Sequence, residues 1–256
     1  ILTVDNINLT YKGNPVLSNI NFVLKNLHRE GVKQGQITSL IGKSGIGKSQ
    51  LFRILSGFNN SDNTNNQLLS GSVLINPEQI PVKRGNVGVV TQNYKLLDHR
   101  KVRKNLEFSG AKKEEIDFYG NEFDLLKHFD KYPMELSGGQ RQRVAILQQI
   151  LVGHDFILLD EPFASLDYVM IKKTMNLLLK ISLMNELKTF IIISHDIENS
   201  LSISDSALLM TKEVDQGTTI KDEHKFNLVD MGLAWQENIE DKKEFRELLK
   251  HIKNNL

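Results

Sequence analysis

The sequence predicts an α/β fold: a mainly parallel sheet with intervening helices, an N-terminal antiparallel β part and an inserted helical subdomain. Three observations carry this. Short, β-branched apolar runs at Gln36–Ile41, Phe156–Leu159, Thr189–Ser194 and Ala207–Met210 read as strands buried on both faces, and helical patterns at Tyr168–Met184 and Ile197–Ile203 separate the later ones. Buried strands alternating with helices indicate parallel pairing. The opening residues alternate roughly instead, with Val4, Ile7 and Leu9 apolar within Thr3–Tyr11, as in half-buried strands. From about Val102 to Val152 apolar residues recur at helical spacing with no strand-like run. These patterns assign 1–92 and 153–256 to the core and 93–152 to the helical insertion.

Taken in order, Thr3–Tyr11 and Val16–Leu24 are candidate strands, with Asn14-Pro15 as the turn signal between them. Gln36–Ile41 runs into a glycine-rich loop, and a helix is predicted from Lys48 to Ser56. The polar segment Asn59–Gln67 reads as an exposed loop without chemistry of its own. Ser72–Ile75 and Asn86–Val90 are strand-like, and Asp241–Leu256 is a charged amphipathic helix with Phe245, Leu248, Leu249 and Ile252 on one face. No internal repeat is visible.

Composition narrows the function class. A chain of 256 residues with 40% hydrophobic and 25% charged residues suits one large domain or a domain with a subdomain. The net charge of +1 gives no sign of a polyanion-binding surface. Without cysteine there is no disulfide framework or thiolate metal site, which fits a reducing cytosol. No run approaches the roughly 20 apolar residues needed to span a bilayer. Nothing near Ile1 reads as a secretion signal, and a start at Ile1 rather than methionine leads us to expect that the native N-terminus is missing.

Gly42-Lys43-Ser44-Gly45-Ile46-Gly47-Lys48-Ser49 fits G-x-x-x-x-G-K-[ST], with an apolar strand before it and a helix pattern after it. Glycines at 42, 45 and 47 let the backbone turn tightly, so that successive N–H groups at a helix N-terminus, Ser44 included, form an anion cradle. Lys48 supplies a point charge for the β- and γ-phosphates, and the Ser49 hydroxyl suits Mg²⁺. The core is therefore predicted to be a P-loop NTPase. The strand Phe156–Leu159 ends in Asp160-Glu161. Asp160 is expected to organise Mg²⁺, and Glu161 to act as general base on the attacking water. The plainer reading of Asp160-Glu161, a strand leaving the core, loses ground beside the phosphate loop.

Tyr132–Arg143 (YPMELSGGQRQR) resembles the signature segment of ABC ATPases, with Leu136-Ser137-Gly138-Gly139-Gln140 intact. Its local reading, a Ser N-cap and two glycines opening a helix to Val152, is compatible with that role. Other family elements follow in the family's order. Gln92 resembles the Q-loop glutamine, Ser165-Leu166-Asp167 the D-loop, His195 the switch histidine, and Tyr11 the aromatic residue that stacks on adenine. The resemblance covers about residues 1–212. It implies ATP and Mg²⁺ as ligands, with Gln92 as a further metal contact. It also implies a head-to-tail dimer in which Ser137, Gly138, Gly139 and Gln140 complete the site on a second copy. Separate permease subunits would sense nucleotide state through Gln92 and the helical subdomain, placing the chain in the cytoplasm on the inner face of the cell membrane.

Glu161–Asp167 and Leu96–Val102 look like bacterial importer ATPases, and the short terminal helix is similar to the nitrate/sulfonate/taurine group. Departures are the long Asn26–Gly35 turn, the Asn59–Gln67 segment, and Leu147-Gln148-Gln149 where small residues are common. The alternative is a soluble ABC ATPase acting on nucleic acid or the ribosome. Such proteins usually carry paired cassettes or basic extensions, and no nucleic-acid partner is expected here. A regulator that binds ATP without turnover would be expected to lose Glu161 or His195, and both are present.

Overall fold

The structure is a computed structural model that describes residues 1–25, 34–58, 67–164, 166–184, 186–212, 216–236 and 238–256. The bulk of the Asn26–Gly35 and Asn59–Gln67 segments, together with Ser165, lies outside the described residues.

Strands β1 (Leu2–Tyr11) and β2 (Asn14–Leu24) form a hairpin, with Tyr11 opposite Asn14. Its turn is Lys12-Gly13, at φ 50° and 78°. Positive φ at both central residues makes the type I′ turn that matches strand twist. The expected turn at Asn14-Pro15 is therefore displaced: both residues lie inside β2, with Pro15 opposite Thr10. The turn signal was real, but Gly13 rather than Pro15 meets the backbone requirement. Apolar side chains on β1 skip from Val4 to Ile7 because the register shifts there, with Asn6 at φ 48°, and Asn19 at φ 50° marks a matching shift in β2. The Asn6 amide donates to Asn21 Oδ1 and the Asn19 amide to Asn8 Oδ1, each at 2.8 Å. β4 (Gln67–Ile75) pairs on the far side of β1 and extends the Ser72–Ile75 expectation; β5 (Ile80–Pro81) closes that edge.

The second sheet contains β3 (Gln36–Ile41), β6 (Gly88–Val90), β7 (Phe156–Asp160), β8 (Thr189–Ser194), β9 (Ser206–Leu209) and β12 (Lys225–Asn227), in the order β12-β9-β3-β8-β7-β6. All pairs are parallel except β12 with β9. Every residue of β3 and β8 is buried, as expected for strands covered on both faces. Two short strands, β10 (Thr211–Lys212) and β11 (Thr218–Thr219), extend the first sheet beyond β2.

Three apolar clusters hold these layers. α1 (Lys48–Leu55) and the inner faces of both sheets share one cluster, including Leu9, Leu17, Leu51 and Ile191. On the other face of the parallel sheet, α4 (Gly138–Val152) and α5 (Tyr168–Met184) pack with α2 (Val102–Glu107) and α3 (Lys113–Glu122). Among the described residues, the chain between β6 and β7 holds helices and no strand. α6 (Ile197–Ser202) and the terminal helix α7 (Lys243–Asn254) form the third cluster, which buries Phe245, Leu248, Leu249 and Ile252. No helix among the described residues is long and apolar enough to cross a membrane.

Register fixes where chemistry can occur. Ile41 pairs with Ser194, Asp160 with Ile193, and Val90 with Leu159. The C-terminal ends of four adjacent strands thus meet at one edge, which is where open α/β sheets bind ligands.

Candidate nucleotide site

β3 delivers the chain into Gly42–Gly47, and α1 begins at Lys48. Gly47 occupies the N-cap position at φ 107°, and a Cβ there would come within 3.1 Å of Leu17. A Cβ on Gly42 would press on Ile46 and Met210 at 3.1–3.2 Å. A side chain would be tight at both positions, and at Gly47 the left-handed backbone adds strain. Thr218 Oγ1 donates to the Ile46 carbonyl at 2.5 Å, so β11 holds the loop from outside. Lys48 is buried, and its Nζ donates to the carbonyls of Gly42 and Lys43 at 2.7 and 2.9 Å. Burial lowers its pKa, opposed by the nearby carboxylates of Glu161 and Asp160. Ser44, Gly45 and Ser49 are exposed on the open side of the loop.

The two carboxylates sit at the end of β7, facing Lys48. Burial and the neighbouring Glu161 raise the Asp160 pKa, against the pull of Lys48. Glu161 has a left-handed backbone, φ 50°, a strained conformation for a non-glycine residue. Its N–H donates to the Ile193 carbonyl at 2.8 Å, which ties it to β8. Two donors converge on Glu161 Oε2, the Ser194 hydroxyl and the His195 N–H at 3.2 Å each, and His195 Nδ1 lies 2.8 Å from the same oxygen. The sequence pointed to Glu161 and His195 separately. Their direct contact, and the part of Ser194, follow from the β7–β8 register and carry no local signal. Gln92, two residues beyond β6, is exposed at the same sheet edge.

Tyr11 is 51% exposed and borders a pocket of about 400 Å³ shared with Leu9, Val16, Gln50 and Arg53. Its other walls therefore come from β2 and the first turns of α1, next to the phosphate loop. Gln50 and Arg53 were not singled out in the sequence, although their place on α1 follows from the loop.

The signature segment is built as a helix start. Ser137 Oγ accepts from the Gln140 N–H at 3.3 Å, and Gln140 Oε1 accepts from the Ser137 N–H at 2.9 Å, a reciprocal capping box. Gly138 has open space at its Cβ position, whereas a Cβ on Gly139 would collide with Met170 Cε. Asp167 Oδ1 accepts from the Met170 N–H at 2.9 Å at the start of α5. Met170, which sequence reasoning missed, thus links Gly139 to Asp167. Apart from backbone bonds of the helix itself, the polar contacts of Ser137 and Gln140 run to each other and to His128; among the described residues none reaches the phosphate loop. The chain alone brings together Lys48, Asp160, Glu161 and His195, and leaves Ser137–Gln140 as a separate surface.

A glycine cradle at a helix N-terminus, a buried lysine and two carboxylates at the ends of parallel strands define a phosphate-loop nucleotide-binding protein. A family model described as "ABC transporter" matches residues 24–164. The chain belongs to that family and carries its ATP-binding cassette. It is 34% identical over 203 residues to the Fe(3+) ions import ATP-binding protein FbpC of Fusobacterium nucleatum, covering 74% of this chain and 52% of that protein. It is 36% identical over 219 residues to the spermidine/putrescine import ATP-binding protein PotA of Spiroplasma citri, covering 82% and 59%. The chain spans about half the length of the curated relatives it matches. Among solved structures, cbiO1 from Clostridium perfringens superimposes with a TM-score of 0.70 at 22% identity, covering 100% of this chain and 95% of that one. The dimeric cassette MJ0796 gives 0.67 at 24%, covering 89% and 99%. At those identities the likeness speaks for the fold.

Proposed function

We propose that this chain is the ATP-hydrolysing motor subunit of an ABC import system, and that it dimerises around ATP and drives separate permease subunits from the inner face of the cell membrane. The observation that carries the reading is the Glu161 carboxylate, held on one oxygen by His195 and Ser194 beside the Lys48 cradle. A base fixed through Oε2 keeps a defined direction for Oε1, which takes no hydrogen bond among the described residues.

The roles follow from the chemistry of each group. Tyr11 stacks on the adenine. Gly42, Ser44, Gly45 and Gly47 offer backbone donors to the phosphates, and Lys48 gives up its loop carbonyls for the β- and γ-phosphate oxygens. Ser49, Asp160 and Gln92 would hold Mg²⁺, an oxygen set of the kind this ion takes together with substrate phosphates. Bound there, the ion would neutralise charge that builds on the phosphate oxygens. Glu161 accepts the proton of the attacking water, and His195 orients Glu161 and meets the γ-phosphate. Ser137, Gly138, Gly139 and Gln140, with Asp167, serve the nucleotide of a second copy. Residues 93–152 form the subdomain that faces the permease. The relatives named for iron, polyamine and sulfate/thiosulfate import support an import system without choosing its cargo.

Glu161→Gln tests this reading. Hydrolysis is expected to fall by about 10²–10⁴-fold, the usual worth of acid–base catalysis, while ATP still binds. Unconsumed ATP then drives dimerisation by mass action, whereas ADP does not. Sedimentation with each nucleotide reads the second effect. Near-normal turnover in Glu161→Gln overturns the base assignment.

A further inference from the structure

We propose that His128 positions the signature segment: its Nε2 orients the Gln140 amide, which locks the first turn of α4 around Ser137, and a proton on His128 releases that lock. The functional half rests on the reading that Ser137 and Gly139 meet the nucleotide of a second copy. The geometric half does not.

His128 is buried in the tight turn Leu126–His128, whose backbone is anchored by its own N–H to the Leu125 carbonyl at 2.8 Å. The Ser137 N–H can only donate, so the Gln140 atom it meets at 2.9 Å is the oxygen. That fixes the amide, and the Gln140 nitrogen therefore faces His128 Nε2 at 3.1 Å. An amide NH₂ donates, so Nε2 must accept and the ring proton must sit on Nδ1. Nδ1 is buried without a partner among the described residues. The ring is thereby held as one neutral tautomer, at the cost of an unsatisfied buried N–H.

A second proton would have to go onto Nε2, directly opposite the amide NH₂. Two donors would then face each other. The amide could restore the contact only by turning over, which would take Oε1 away from the Ser137 N–H. One proton on His128 thus removes one of the two bonds of the capping box that opens the signature helix. The charged groups around the ring are Lys127 and Lys131 on its own turn and loop, Arg143 from α4, and Asp124. Burial first, then Lys131 and Lys127, hold the His128 pKa below its ordinary value, with Arg143 adding to them and Asp124 opposing. Asp124 is itself engaged by Lys127 at 2.9 Å. The lock is therefore closed at neutral pH and opens in acid.

The test measures hydrogen exchange at the Ser137 amide and the ATP concentration for half-maximal dimerisation, both in the Glu161→Gln background, as pH is lowered stepwise from about 7.5 while the fold persists. With His128 intact, acid is expected to lower Ser137 protection, corrected for intrinsic exchange, and to raise the ATP requirement, each by about two- to tenfold, the worth of one neutral hydrogen bond. His128→Gln keeps an acceptor without a titrating ring and should hold Ser137 protection steady across that range, with a smaller acid rise in the ATP requirement than the parent shows. His128→Leu should show the loosened values throughout, with ADP affinity of the monomer unchanged. The proposal is overturned if His128→Leu matches the parent near pH 7.5, or if the acid effect on Ser137 persists in His128→Gln. If ATP fails to dimerise the parent at all, the dimer reading has failed, and Ser137 exchange still decides the part played by His128.

Discussion

Asp160, on the proposed reading a Mg²⁺ ligand, sets a chemical role against the stability of the fold. Its folded pKa is raised, by burial first and then by Glu161. A raised carboxylate pKa means that ionisation is harder in the folded state, so stability is lost as pH rises through the unfolded pKa towards the folded one. Asp160→Asn removes that penalty. The variant is expected to be more stable than the parent near pH 7, by about 0.5–2 kcal/mol as in other relieved active sites. The difference should shrink as pH falls and vanish about a unit below the unfolded pKa of about 3.9, where the parent carboxyl is protonated in both states. Urea denaturation at the two pH values checks the sign, and Mg²⁺-dependent hydrolysis should drop in the same variant. Tyr11 is the opposite case, since it is exposed and holds little of the core. Tyr11→Ala should weaken ATP binding by roughly 1–2 kcal/mol and leave the melting temperature nearly unchanged, whereas Tyr11→Phe should be silent in calorimetry because stacking does not use the hydroxyl.

Among the elements, the phosphate loop and its helix carry the strictest backbone demands. Gly47 combines φ 107° with a Cβ position 3.1 Å from Leu17. Gly47→Ala is expected to cost about 1–3 kcal/mol from the left-handed backbone. It should also weaken ATP binding, because the strain is relieved by moving the loop. A lower denaturant midpoint together with a poorer Kd would verify both. This element was legible in the sequence because its residues are contiguous: strand, glycines, lysine and helix follow one another. β3, β8 and α5 were equally plain, each a long run of one pattern. What was hidden depends on partners remote in the chain. β10, β11 and β12 span two or three residues each, and their neighbours decide that they are strands at all: β9 for β12, β2 for β11, and β11 in turn for β10. Thr218 gripping Ile46, Ser194 gripping Glu161 and His128 meeting Gln140 have no local pattern for the same reason. The Lys12-Gly13 turn was overlooked because Asn14-Pro15, next to it, carries the stronger compositional signal.

Across the whole molecule, one parallel sheet turns separate sequence motifs into a site. Lys48 follows β3, Glu161 follows β7 and His195 follows β8, and the shared register brings these ends together. The sheet also leaves Ser137–Gln140 on the helical side, so the division between a complete cradle and an outlying signature segment is a property of the architecture.

The central place of β3 has a consequence for how the protein is made. Gln36 pairs with Thr189, 153 positions later, and Ile41 also pairs with Leu209 of β9. During synthesis at about 5–20 residues per second, the phosphate loop leaves the ribosome long before either neighbour of β3 exists. Closing so long a span is slow and must precede any reward from the contacts it enables. Nascent chains stalled after α5 has emerged should therefore fail to be retained on immobilised ATP, although Gly42–Ser49 is already exposed. Chains stalled once Lys212 has cleared the exit tunnel should be retained, and a newborn cassette would remain blind to nucleotide until then.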